Sequence, residues 1–148
     1  MMCKMAKPTD WRMRFLLIPL ILLQPSCETI GGSVTASNAR AWSGKHFKRG
    51  KTRQCANFVS AVVLQSGGTP PANSGRASAW CGWGRSIIRS QLVAGDIVIL
   101  KNTYKPGVSH VAVYVGGDML VHRPTANRTV RTVPLSSYEG QIWGFRRS

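Results

Sequence analysis

Residues 109–123 constrain the fold more than any other stretch. Ser109-His110-Val111-Ala112-Val113-Tyr114-Val115 is a β-branched, aromatic-bearing run, Gly116-Gly117-Asp118 is a tight turn, and Met119-Leu120-Val121-His122-Arg123 runs back. Together they read as a β-hairpin, so a chain built on them contains antiparallel sheet. A three-residue loop pairs Val115 with Met119 and places His122 opposite Ala112. His110 and Ala112 share a face because strand side chains alternate, which makes the two histidines diagonal neighbours, roughly 7–8 Å apart at the backbone. A two-residue loop would instead pair His122 with Val111 and send its side chain to the opposite face.

Three more strands are expected around this hairpin: Asp96-Ile97-Val98-Ile99-Leu100, entered through Ala94-Gly95, then residues 130–135 and 142–146. Upstream, Thr52 to Gly68 reads as one helix. Thr52 is its expected N-cap, Phe58, Val59, Val62 and Val63 form an apolar face, and Gly67-Gly68 stops it. A shorter helix is expected over residues 38–47, where Ala39, Trp42 and His46 or Phe47 fall at helical intervals. Residues 67–90 read as loop, with Thr69-Pro70-Pro71 and then Trp80 and Trp83 flanking Cys81. Those two tryptophans either form a lid or ligand-stacking wall, or cap the core. A helix or two before a five-stranded, largely antiparallel sheet is an α+β fold.

Residues 1–27 look like a targeting segment. Lys4, Lys7, Arg12 and Arg14 precede a nine-residue apolar run, Phe15 to Leu23. That run is too short for the ~20 apolar residues of a spanning helix and suits the core of a signal peptide. Export to the periplasm or the extracellular side follows. Gln24-Pro25-Ser26-Cys27 partly resembles the lipobox of bacterial lipoproteins, so lipidation at Cys27, with membrane attachment, stands beside ordinary cleavage or retention as a short anchor. Residues 28–37, rich in Gly, Ser and Thr, read as a linker, leaving residues 38–148 as the domain.

The chain carries 20 Lys and Arg against 5 Asp and Glu, a formal charge of +15, which implies a polyanionic neighbour. The basic residues are scattered from Lys45 to Arg147, and no zinc-finger, basic-zipper or RNA-recognition pattern is present, which disfavours nucleic acid. Anionic envelope polymers fit better. Cys3, Cys27, Cys55 and Cys81 include no C-x-x-C pair. A Cys55–Cys81 disulfide is open in an oxidising compartment, yet a catalytic Cys55 must be free.

Cys55 falls in the first turn of its helix, where unpaired N–H groups and the helix dipole favour a thiolate, the nucleophilic form. The alternative is a small buried core residue. With two same-face histidines downstream, the set has the composition of a nucleophile, its general base and the group that orients the base. Imidazole titrates near neutral pH, so it can take the thiol proton and later give one to a leaving amine. No H-E-x-x-H occurs and acidic ligands are scarce, which disfavours a metallopeptidase; no cofactor or metal is expected.

From about Ala39 to Arg147 the chain resembles the NlpC/P60 family of cell-wall cysteine peptidases, a papain-like group close to the CHAP amidases. The likeness is carried by Gln54-Cys55-Ala56-Asn57-Phe58-Val59, Gly95-Asp96-Ile97-Val98, His110-Val111-Ala112-Val113-Tyr114, Leu120-Val121-His122-Arg123-Pro124 and Trp143-Gly144-Phe145-Arg146-Arg147. It implies a papain-like fold with the nucleophile helix packed on the sheet, Cys55 as nucleophile, His110 as base and His122 as orienting residue. It also implies a peptidoglycan hydrolase that cleaves an amide bond of the stem peptide. Gln54, Ala56 and Asn57 replace the Asp, Ser and Gly of the family pattern, and Gln54-Cys55 is closer to the CHAP pattern. Trp80, Trp83 and Asn57 are the candidate substrate contacts. The alternatives are a non-catalytic cationic wall-binding module and a same-fold amidase serving as an interbacterial toxin or phage lysis factor. A permuted acyltransferase is disfavoured because there the His strand precedes the Cys.

Overall fold

The computed structural model describes residues 28–125 and 128–148, with side chains from residue 32 onward. The expected targeting segment and the Cys27 lipidation site lie outside the described residues. Two helices come first, α1 (Glu28–Ala41) and α2 (Gln54–Gln65). Six strands follow: β1 (Arg85–Ile87), β2 (Ile97–Lys101), β3 (Val108–Tyr114), β4 (Met119–His122), β5 (Arg131–Pro134) and β6 (Ile142–Arg147). They form one antiparallel sheet in the order β1-β6-β2-β3-β4-β5. The architecture is α+β, with one strand more than the five expected. The additional strand, β1, is three residues long with only Ile87 buried, too short to carry an alternating signal.

The hairpin has the register of a three-residue loop. Val113 pairs with Val121 and Tyr114 with Leu120, and the Val115 N–H donates to Met119 O at 3.0 Å. Asp118 (φ 60°) and the two preceding glycines take the positive φ that so tight a reversal needs. Val111, Val113 and Val121 join α2 in one core cluster, while Ala112 and Leu120 pack on the opposite side with Val98, Leu100, Leu135 and Phe145. Strand β2 therefore has both faces covered, and Ile97 to Leu100 are all fully buried. Short 3-10 turns at residues 89–91 and 135–138 flank the face away from the helices.

Helix α2 ends as the sequence predicts. The Gly67 N–H donates to Leu64 O and the Gly68 N–H to Val63 O, the paired bonds of a Schellman stop, with Gly67 at φ 82°. Its start differs. The N-cap is Arg53, not Thr52; Arg53 sits in the left-handed region (φ 60°, ψ 38°) and offers no side-chain cap.

The linker expected over residues 28–37 is instead the main part of α1. Small residues here serve close packing rather than flexibility. A Cβ on Gly32 would lie 2.7 Å from Ala94 O, and Gly95 approaches the Gly32 backbone just as closely. Ala36 and Ala39 are buried in the same cluster as Phe58 and Val62 of α2. The short helix expected over 38–47 is correspondingly displaced: α1 stops at Ala41, and residues 42–47 are turn and bridge.

At the other end of the chain, Asp96 is 1% exposed and binds Arg147 through two bonds, Nε to Oδ1 at 2.7 Å and a terminal nitrogen to Oδ2 at 2.8 Å. It also accepts the Val93 N–H at 2.8 Å, so this carboxylate ties the entry of β2 to the end of β6.

Candidate active site

Cys55 is the second residue of α2 and is 8% exposed. The backbone N–H groups of Cys55 itself, of Ala56 and of Val111 favour the anionic form of the thiol. The first two are unpaired donors of a helix start. The third is a product of strand geometry. Val115 and Met119 exchange a ladder bond, so by antiparallel alternation the Val111 N–H also points toward β4; β4 has ended at His122, and the thiol occupies the place of the missing strand. The nucleophile candidate thus sits one residue along β3 from His110.

His110 and His122 meet as the register demands. The Nε2 of His110 lies 2.8 Å from Nδ1 of His122, with the rings edge-to-face at 5.0 Å between centroids. His110 is fully buried and His122 is 3% exposed. The register slips between Leu100 and Lys101, leaving Ser109 without a partner on β2. Tyr104, from the turn after β2, stands edge-on to the His110 ring at 5.1 Å, and Tyr138 packs near both imidazoles. The other nitrogen of His110, Nδ1, is buried and has no hydrogen-bond partner among the described residues. Such atoms are few in folded proteins, and Thr103 Oγ1 and Arg146 Nε are the others among the described residues.

Burial controls the electrostatics. It holds His110 well below the ordinary imidazole range, reinforced by His122 alongside, and it does the same to His122, with Arg131 adding to the effect. Burial also pushes the Cys55 thiol up, against the pull of the three N–H donors and of the Arg123 guanidinium. These shifts favour the uncharged forms, a thiol and neutral imidazoles. Arg123 is 3% exposed, with its Nε on Phe47 O at 3.1 Å and a terminal nitrogen on Pro124 O at 2.6 Å.

A cavity of about 620 Å³ opens on Cys55. Its walls come from the start of α2, from residues 75–78, from Tyr104 and Lys105, and from Val108, Ser109 and Thr125. His110 and His122 are not among its lining residues.

The expected substrate contacts lie elsewhere. Trp80 is fully buried, its indole N–H donating to Ser74 O at 3.0 Å. Covering some 200 Å² of aromatic surface is worth roughly 5 kcal/mol at 25 cal/mol/Å², so the core role prevails. Trp83 packs edge-on to Trp80 and donates to Thr69 O at 2.8 Å; neither ring lines the cavity. Asn57 is turned to its own chain, its amide N–H donating to Arg49 O at 2.8 Å and Thr52 O at 3.1 Å. Gln54 does likewise, accepting from Arg49 N and donating to the carbonyls of Arg49, Gly50 and Thr52. These two amides hold the loop before α2 in place, which explains a helix that starts without a side-chain cap.

Sequence reasoning missed Tyr104, Arg123 and the cavity's cations. A lone Tyr in a Pro-Gly turn and an Arg after a His carry no periodic signal. Cys55 and Cys81 are free thiols, and no group of three His, Cys, Asp or Glu side chains is placed to hold a metal ion among the described residues.

Solved structures of known proteins share the fold. A γ-D-glutamyl-L-lysine dipeptidyl-peptidase of Bacillus cereus is 31% identical over 96 residues, spanning 63% of this chain and 28% of its own length. The chain thus covers less than a third of that relative. A crystal structure of an NlpC/P60 family protein from Bacillus cereus superposes with a TM-score of 0.66 at 23% identity, covering 78% of this chain and 39% of the other. The NlpC/p60 domain of the peptidoglycan hydrolase SagA superposes with a TM-score of 0.62 at 23% identity, covering 79% of this chain and 98% of that domain. The profile of the NlpC/P60 family matches residues 40–147. With that match over most of its length, this chain belongs to the NlpC/P60 family.

Proposed function

We propose that the protein is a peptidoglycan hydrolase that cleaves an amide bond of the stem peptide, the bond between D-glutamate and a diamino acid, by a Cys-His-His thiol mechanism. The observation that carries this reading is the orphaned Nδ1 of His110, on the strand residue next to Val111, whose backbone N–H faces the Cys55 thiol. In the tautomer that this mechanism requires, His110 donates from Nε2 to Nδ1 of His122, 2.8 Å away, which leaves the His110 Nδ1 lone pair free to act as base. That nitrogen takes the Cys55 proton as the sulfur attacks the carbonyl carbon. The N–H groups at the start of α2 receive the oxyanion, an arrangement whose single donors are worth about 3–4 kcal/mol in other enzymes. The C–N bond then breaks, the imidazolium gives its proton to the leaving amine, and water hydrolyses the thioester to a carboxylate and the free thiol.

Depressed histidines and a raised thiol fit proton transfer during attack rather than a standing ion pair. The name of the Bacillus cereus relative supports the γ-glutamyl bond as the target. Export, anchoring through Cys27 and retention on anionic envelope polymers complete the proposal. Cys55→Ala is expected to abolish release of free amino groups from purified sacculi while the variant melts within a few degrees of the parent. Undiminished release would remove the mechanism.

A further inference from the structure

The β3–β4 hairpin parts where the thiol enters it. Val113 pairs with Val121 and Tyr114 with Leu120, and the same register carried on would set Arg123 opposite Val111. Strand β4 stops at His122 instead, and the Val111 N–H faces the Cys55 thiol. Arg123 is thus the residue across the gap from Val111. Strand alternation puts its side chain on the side of Val111 and Val121, the side packed on α2 together with Cys55 and Phe47. Its Nε donates to Phe47 O, and one terminal nitrogen donates to Pro124 O and, at 3.2 Å, to Thr125 O, whose residue lines the cavity.

Arg123 is 3% exposed, yet every one of these partners is a neutral carbonyl. The described carboxylate side chains are engaged elsewhere, Asp96 with Arg147, and Asp118 and Glu139 with Arg89. A buried charge without a counter-charge is costly, and carbonyl dipoles offset only part of that cost. The group beside it that can become an anion is Cys55. Burial pushes that thiol up, and Arg123 is the charged side chain that opposes the rise. Burial likewise pulls the guanidinium down, with Arg128 adding to the effect, and Cys55 and Tyr104 oppose the fall. The cations on the cavity walls, Lys51, Arg53, Arg76 and Lys105, are exposed, so salt screens them over about 8 Å at physiological strength. Arg123 is shielded from that screening. His110, His122 and Tyr138 are the other titratable groups packed around the site, and burial favours the neutral form of each.

We propose that Arg123 is a positioning residue for the nucleophile: its buried guanidinium is the counter-charge of the Cys55 thiolate formed during attack, and its bonds to Phe47 and Thr125 hold the cavity wall against the approach to α2. The inference rests on the hydrolase reading for the reaction served, whereas the charge acts on the thiol with or without substrate. The two parts of the role separate by substitution. Glutamine keeps hydrogen-bond donors and loses the charge; lysine keeps the charge and loses the planar fork that reaches two carbonyl sites at once.

The test is the pH dependence of Cys55 alkylation by iodoacetamide in the full chain, read by mass analysis of the peptide containing Cys55. Arg123→Gln is expected to move the midpoint up by about one pH unit, which slows alkylation about tenfold at a fixed pH below it. Arg123→Lys is expected to return the midpoint to within about 0.3 unit of the parent while raising KM for a γ-D-glutamyl peptide about threefold or more. In the parent, whose fold is not in question, the midpoint is expected to stay constant between about 0.1 and 1 M salt, because the charge that sets it is buried. A parental midpoint in folded Arg123→Gln, or a parent midpoint that climbs with salt, would overturn the inference. Turnover by the parent separates it from the hydrolase reading. A shifted midpoint in Arg123→Gln without peptide cleavage by the parent keeps the role of Arg123 and removes the hydrolase; cleavage with an unshifted midpoint does the reverse.

Discussion

Two buried polar pairs lie on the same sheet and have opposite characters. Asp96 and Arg147 are joined by two bonds, and the carboxylate is completed by the Val93 N–H. His110 and His122 share one bond, and the outer nitrogen of His110 is left without a partner. A saturated pair holds chain segments together, whereas a pair with an open position has something left to bind or to transfer a proton to. Burial alone does not distinguish them. The open position does, and it is the one that the proposed mechanism uses as its base.

Exchange of effects between the two pairs would break this comparison most directly. His110→Gln is expected to cut turnover at least about 1000-fold while the protein stays folded, because an amide cannot cycle the proton. Asp96→Asn is expected to do the reverse, lowering stability by about 3 kcal/mol by removing the buried charge that ties the entry of β2 to Arg147, with turnover per folded molecule retained. Urea unfolding and peptide turnover on the same two variants check both halves. A stability loss at His110 that accounts for its activity loss, or lost catalysis at a folded Asp96→Asn, would collapse the distinction.

A smaller effect sharpens it. Both histidines are held below the unfolded imidazole value of about 6.5, to about 3 for His110 and about 4 for His122. Their buried neutral forms stabilise the fold fully above pH ~6.5, and that contribution falls as acid charges the unfolded chain first. Stability should therefore decline from about pH 6.5 toward pH 4, each histidine steepening the slope by up to about 1.4 kcal/mol per pH unit. His122→Gln should flatten that limb by one proton's worth in urea titrations across this range. An unchanged slope would mean that the pair is hydrated and not held neutral.

The legible parts of the chain were those written in local periods. The hairpin register followed from alternation and Gly116-Gly117-Asp118, and it alone predicted the contact between His110 and His122. The apolar stripe and Gly67-Gly68 gave α2 and its end. Composition misled at α1, where Gly32 and Ala36 look like a linker but allow a helix to lie close against the Ala94-Gly95 turn. It misled again at Thr52, because Gln54 and Asn57 take the loop carbonyls and leave Arg53 as the left-handed entry to the helix. The site's chemistry was visible from residue types, but its cavity was not. Lys51, Arg53, Arg76 and Lys105 come together only through the tertiary fold, and no spacing announces them.

The central claim is that Cys55 carries the acyl half of a cleaved stem peptide. Rapid acid quench of the protein with a γ-D-glutamyl peptide, followed by mass analysis of the fragment containing Cys55, tests it directly. The account predicts a thioester adduct on Cys55 with the mass of the acyl half, absent from Cys81 and from Cys55→Ala. Cleavage of the peptide at the parental rate by Cys55→Ala, with no adduct on Cys55 in the parent, would contradict it.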